Sequence, residues 1–394
     1  LAAKYGFEGN LWHCFLALCL ADNENAYTTA CEVKGPAGGT LDLLAKEDFA
    51  IFKALFDFDL SSLAPSSLWS LLADYRPALQ ESRVFNRRIR DRIVELAKAL
   101  EQASDLEGFQ QTMVEFYRGY GAGTFGLNKA FRILEKEAGG LTVIDPIVNV
   151  EHIYFKDIVG YELQKHKLIE NTEAFVNGKE ANNVLLFGDA GTGKSSSVKA
   201  VLNEYYSGTG KSTSIKAIVN QFYPDGLRMI EIYKHQFKDL SDVLEQIKDR
   251  NYKFIIYMDD LSFEENETSY KYLKAVMEGG AEAPPENVRI CATSNRRHLV
   301  REVWSDRGDV EHNGDIHRSD TVEEKLSLAS RFGLQIFYPA PTFEEYQQIV
   351  SALSEKAGTD LPPEQLRAAA ATWQVRSGSR SGRTARQFVD QLEH

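Results

Sequence analysis

Cysteine is scarce. The 394-residue chain holds four (Cys14, Cys19, Cys31 and Cys291), and no two of them form a CxxC pair. That spacing excludes a zinc ribbon and gives no disulfide scaffold, so a reducing, cytoplasmic home is expected. Glycine and proline are also limited, at 28 and 11 residues. Low-complexity chains carry roughly a quarter or more of the two together, which excludes disorder and collagen-like repeats. Nor is there an excess of positive charge, since 45 Lys+Arg stand against 57 Asp+Glu for a net charge of −12. A protein that coats nucleic acid or an anionic membrane by charge has the opposite sign. A membrane-length apolar run is missing too. Leu11–Ala21 is strongly apolar but far short of the ~20 residues of a membrane span, and it reads as a buried helix rather than a targeting segment.

What is present divides into three regions. With 43% hydrophobic residues the chain can bury a sizeable core. Residues 1–150 read as a helical domain, because Ile89, Ile93, Leu96 and Leu100 recur three and four apart, as do Leu106, Phe109, Met113 and Phe116. This region contains Gly121-Ala-Gly123-Thr-Phe-Gly126, which spells GxGxxG. A dinucleotide fingerprint needs a strand just before it. Here a helical pattern precedes, so the glycines are read as a loop between helices. Over residues 151–338 short apolar runs alternate with helical stretches, the pattern of a parallel α/β sheet. Five strands are predicted, at Val184–Phe187, Leu227–Ile232, Phe254–Met258, Val288–Ala292 and Leu334–Tyr338. Residues 339–394 turn helical again, opened by a capping box of Thr342 and Glu345.

The chemistry is carried by Gly188-Asp189-Ala190-Gly191-Thr192-Gly193-Lys194-Ser195, a GxxxxGK[ST] loop between the strand NNVLLF and a helical run. Glycines let backbone amides curl around a β-phosphate, and the helix N-terminus adds positive potential. Lys194 suits the β- and γ-oxygens, and the Ser195 hydroxyl suits Mg²⁺. A second element, Phe254-Ile-Ile-Tyr-Met-Asp259-Asp260, is an apolar strand ending in two carboxylates. Asp259 would join Ser195 as a metal ligand, and Asp260 would polarise the attacking water.

This combination resembles the AAA+ superfamily of ATPases. Phe155-Lys-Asp-Ile158-Val159-Gly160 resembles the family's box II, whose apolar residues contact adenine. Asn295 after Val288–Ser294 resembles sensor 1, Ser330-Arg331-Phe332 the arginine-finger box, and Gly382-Arg383 sensor 2. ANNVLLFG, DDLSFEE, ATSNRRHL, EEKLSLASRFGL and GSRSGRTARQF are similar to one bacterial AAA+ family known only as a domain of unknown function, from about residue 120 to 390. The resemblance implies a parallel five-stranded sheet flanked by helices, with a helical N-terminal region and a small helical C-terminal lid. It also implies ATP with Mg²⁺ as cofactors and a homo-oligomeric ring with shared sites. Asp260, Asn295 and Arg331 would be catalytic, and hydrolysis would remodel a macromolecular client away from any membrane. A nucleotide switch with little turnover and a P-loop kinase are the alternatives. A GTPase is disfavoured by the lack of Asn-Lys-x-Asp.

Three features depart from the family pattern. The second carboxylate is Asp260 rather than glutamate, one methylene shorter, with Glu264 as a possible aid. Tyr233-Lys-His-Gln-Phe237 shows no aromatic-glycine pore motif. Finally, residues 191–206 (GTGKSSSVKAVLNEYY) and 208–223 (GTGKSTSIKAIVNQFY) form a tandem repeat of period seventeen. The second copy has Tyr205 where the first has Gly188, so it is expected to be an excursion that leaves the nucleotide to the first. A polar insertion at 301–320 carries Asp309, Glu311, His312, Asp315 and His317, and reads as a solvated loop rather than a metal site.

Overall fold

The computed structural model describes residues 1–36, 38–62, 67–76, 87–134, 140, 142–147, 155, 158–206, 226–264, 267–279, 284–295, 299, 327–359 and 361–392. The second repeat copy, the 301–320 insertion, Pro65, Lys156, Asp157 and Arg296–His298 lie outside the described residues.

The N-terminal helices include Leu11–Asp22, Ala26–Lys34, Gly39–Phe56, Arg87–Gln102 and Leu106–Tyr120. The starts of the first, second and last of these are fixed by side chains that take up otherwise orphaned amides. Asn10 accepts from the His13 amide, Asn25 forms a capping box with Thr28, and Asp105 accepts from the Gly108 amide. The apolar stripes meet in one core that includes Leu16, Leu20, Phe49, Ile93, Leu100, Phe109 and Met113. The apolar run at Leu11–Ala21 is thus a helix packed inside this body.

The sheet has seven strands, not the five expected. They are β1 (Ala130–Leu134), β2 (Val143–Pro146), β3 (Val184–Gly188), β4 (Leu227–Glu231), β5 (Lys253–Met258), β6 (Val288–Ser294) and β7 (Leu334–Tyr338), in the order β2-β1-β4-β5-β6-β3-β7. Strands β3 to β7 are the five predicted, and every pairing among them is parallel. The two extra strands come from a region read as helical. β1 adds in parallel beside β4, and β2 closes that edge antiparallel to β1. Ala130–Leu134 and Val143–Pro146 therefore sit with the sheet.

Alternating residues serve the two faces. Phe254 and Ile256 join Leu240, Val243, Tyr270 and Leu273 on one side. Ile255 and Tyr257 join Leu168, Phe175 and Val198 on the other, under the helices Glu162–Val176 and Lys194–Tyr206. The helices Phe343–Ala357, Pro363–Ser377 and Gly382–Leu392 form a separate small core around Tyr346, Val350, Leu366 and Phe388. The first opens on the expected capping box: Thr342 accepts from the Glu345 amide at 3.2 Å and Glu345 from the Thr342 amide at 2.7 Å.

The helical body is welded to the sheet just ahead of β5. Buried Glu32 accepts from the Tyr252 hydroxyl at 2.9 Å, the Ala122 amide at 3.1 Å and Arg250 Nη2 at 3.2 Å. Arg250 also pairs with Glu24 and lies over the Phe125 ring, 5.2 Å from its centroid. The GxGxxG glycines make room for this junction. Gly121 has φ +81°, and a Cβ there would lie 1.3 Å from the Tyr252 hydroxyl oxygen. No strand precedes them; the helix Leu106–Tyr120 does. Among the described residues no helix is long and apolar enough to cross a membrane.

Candidate functional site

β3 ends in the phosphate loop, and the helix Lys194–Tyr206 starts from it. The loop's path demands glycine. Gly188 has φ +136°, and a Cβ there would lie 2.0 Å from the Tyr338 carbonyl oxygen of β7. Gly191 and Gly193 have φ +78° and +90°. The loop faces a cavity of about 670 Å³.

Lys194 is buried and arches back over the loop. Its ammonium donates to the carbonyls of Gly188 at 2.9 Å and Asp189 at 2.6 Å, and to Asn295 Oδ1 at 3.2 Å. Burial pulls its pKa below the usual lysine range, against the opposing pull of Asp189, Asp260 and Asp259. Its neighbour Ser195 donates to Asp259 Oδ1 at 2.6 Å, and Thr293 Oγ1 donates to the same oxygen at 2.6 Å. Burial alone would raise the Asp259 pKa. The hydrogen bonds from Ser195 and Thr293 outweigh it and hold the carboxyl below its usual range.

Asp260 has φ +50°, a left-handed conformation that aspartate tolerates better than most side chains. Thr293 fixes this turn by accepting from the Asp260 amide at 3.0 Å through its hydroxyl and from the Leu261 amide at 2.7 Å through its carbonyl. Asn295 Nδ2 donates to Asp260 Oδ1 at 2.8 Å. Asn295 thus bridges Lys194 and Asp260.

The remaining walls come from further along the chain. Ile158 and Val159 line the cavity together with Ile349 and Leu353 of the first C-terminal helix, and Val159 packs against that helix's small core. Arg383 and Arg386 reach it from the last helix, while Arg376 and Arg380 are exposed away from it. That helix is seated on the loop itself, since the Gly382 amide donates to the Gly191 carbonyl at 3.1 Å. Gly188 and Asp189, also expected at the site, do not line the cavity; the Asp189 carboxylate instead accepts from the Ala340 amide at 3.1 Å. The expected residues Ile158, Val159, Ala190, Gly191, Thr192, Gly193, Lys194, Ser195, Asp259, Asp260, Asn295 and Arg383 therefore converge on one cavity. Arg331 does not: it pairs with Glu278, at the end of the helix Tyr270–Glu278, and lines no part of that cavity. Glu264 does not line it either. Sequence reasoning missed Thr293 and Lys356, which also line the cavity.

A buried ammonium, glycine-shaped backbone and the two arginines of the last helix form a donor set for a phosphate chain. The hydroxyl and carboxylate of Ser195 and Asp259 are the hard oxygen donors that suit Mg²⁺. Together with the parallel strands β7-β3-β6-β5-β4, these features define an α/β fold with a phosphate-binding loop at the end of β3.

The chain belongs to the family described as "Protein of unknown function (DUF815)", whose model matches residues 128–208 and 206–394. No curated protein matches it. Among solved structures it is similar to the Thermotoga maritima RuvB Holliday junction branch migration motor, at 15% identity and a TM-score of 0.39 over 61% of this chain. The match spans 64% of the RuvB chain's own length. The FIGL-1 AAA domain in complex with ADP is similar at 19% identity and a TM-score of 0.35, over 61% of this chain and 73% of that one.

Proposed function

We propose that the chain is an ATPase that binds Mg²⁺–ATP in this cavity and couples hydrolysis to remodelling of a macromolecular partner. The observation that carries the reading is the convergence of Lys194, the Ser195–Asp259 pair and the Asn295–Asp260 pair at the end of β3. The adenine would lie between Ile158, Val159 and Leu353, with the triphosphate along the loop amides toward Lys194 and Arg383. Ser195 and Asp259 would hold Mg²⁺, which when bound offsets charge on the phosphate oxygens. Asp260, with Oδ1 occupied by Asn295, would receive the attacking water's proton on Oδ2.

Arg331 supports a shared site. It lies away from its own chain's cavity, so it would act on the nucleotide of a neighbouring copy in a ring. A reducing compartment fits the four free cysteines. A nucleotide switch is the second reading, favoured by the shorter Asp260 side chain and its tie to Asn295. Binding of a fluorescent ATP analogue, read beside phosphate release, decides among the readings. Steady release without an acceptor supports the ATPase. Binding without release supports the switch, and release that needs an acceptor supports a kinase. Failure of the wild type to bind ATP would overturn all three.

A further inference from the structure

A short linker, residues 339–342, joins β7 to the helix Phe343–Ala357, the first of the three C-terminal helices. Two of its residues are held from two different segments of the site. The Tyr161 hydroxyl donates to the Pro339 carbonyl at 2.9 Å, and the Asp189 carboxylate accepts from the Ala340 amide at 3.1 Å. Asp189 belongs to the phosphate-loop motif yet does not line the cavity. Its side chain serves the linker instead.

Both anchors have their main chain in the site. The Asp189 carbonyl accepts from the Lys194 ammonium at 2.6 Å, so its backbone faces the phosphate loop while its carboxylate faces the linker. Tyr161 lines the cavity and directly follows the Ile158–Gly160 segment. That segment is fixed in turn by buried Lys165, which donates to the Ile158 carbonyl at 2.9 Å. Tyr161 has φ +61°, an outlier for a bulky side chain. Such a backbone persists where its surroundings hold it. Here the hold is the Pro339 bond together with the Tyr338 ring, 5.1 Å away between centroids. The C-terminal helices touch the phosphate loop a second time, where the Gly382 amide donates to the Gly191 carbonyl beside Arg383.

We propose that Tyr161 and Asp189 are positioning residues that couple the nucleotide site to the C-terminal helices. By fixing Pro339 and Ala340 they set where those helices begin, and so where Arg383 stands over the cavity. The base end and the phosphate loop then act on one linker, and an ATP that engages both holds the helices in register. This rests on the proposed ATP reading and adds to it the route by which binding reaches the C-terminal helices. Losing one hydrogen bond of this kind changes an equilibrium by about two- to tenfold.

The test is a double-mutant cycle in the full chain, read as affinity for a fluorescent ATP analogue. Tyr161→Phe keeps the ring against Tyr338 and removes only the hydroxyl, and it should weaken binding about fivefold. In an Arg383→Ala background the same change should weaken it less than about twofold, because the residue it positions is gone. Asp189→Ala should behave like Tyr161→Phe. Asp189→Asn drops the charge but keeps an oxygen for the Ala340 amide, and it should bind like the wild type. Unchanged affinity in a folded Tyr161→Phe variant would overturn the proposal and leave the ATP reading standing. So would losses that simply multiply with that of Arg383→Ala, the mark of a merely structural role, or an Asp189→Asn variant as weak as Asp189→Ala. A wild type that does not bind the analogue would remove the ATP reading, and the proposal with it.

Discussion

At the scale of single residues, the site depends on charges held out of water. Lys194 is the clearest case, because burial lowers its pKa while a phosphate chain would raise it again. The sign follows directly. Below the lowered pKa of the free protein Lys194 is already charged, and affinity for ATP is full. As pH rises through that value, binding must first take up a proton, and affinity falls by up to about tenfold per pH unit. The fall should begin at a lower pH than an ordinary lysine would give. Titration with a fluorescent ATP analogue from pH 7 to 10 checks it, and an affinity flat up to the ordinary lysine range would contradict it. Lys194, Ser195 and Asp259 were all legible in the sequence, since strand, glycine loop and helix occur in unbroken succession. Thr293 was not. A threonine near the end of an apolar strand carries no motif, and its three contacts with the Asp259–Leu261 turn exist only once β5 and β6 lie side by side.

Among the elements, β3 to β7 were readable because each is a short apolar run bounded by turn residues. β1 and β2 were not. Ala130–Leu134 exposes Arg132 and Leu134, and Val143–Pro146 is only partly buried, so neither offers a continuous apolar signal. The GxGxxG stretch shows the converse: its glycines are required, but by close packing. A Cβ at Gly121 would overlap the Tyr252 hydroxyl, whereas one at Gly178, with φ +69°, would meet nothing within 4 Å. Both substitutions to alanine carry backbone strain, and only Gly121→Ala adds a clash in the junction. Gly121→Ala should therefore lose about 1–3 kcal/mol more stability than Gly178→Ala, read as urea midpoints at constant m-value. The repeat makes a second prediction at this scale. The first copy is the one that follows a strand and supplies the loop of the cavity, and the two family matches meet at 206–208, where the second begins. Lys194→Ala should abolish ATP binding, while Lys211→Ala should weaken it less than about tenfold, or 1.4 kcal/mol. The reverse ranking in a paired titration would move the site by seventeen residues.

For the whole molecule, the feature that matters is the pairing of Arg331 with Glu278, away from the cavity of its own chain. If a neighbour's Arg331 completes each site, wild-type turnover per chain should rise with protein concentration. Arg331→Ala should keep ATP affinity and lose roughly 10³-fold or more in turnover. Full activity from monomers at high dilution would contradict the shared site.

β5 has a consequence of its own for how force travels through the molecule. At its leading end Arg250 and Tyr252 are pinned to Glu32 of the helical body, and at its trailing end Asp259 is pinned to Ser195 at the mouth of the phosphate loop. Six residues of extended backbone, roughly 20 Å, separate the two anchorages. A strand fastened at both ends and laddered on both sides has no slack. It is built as a strut, so a load taken up by the N-terminal helices arrives at the mouth of the phosphate loop without a hinge to absorb it.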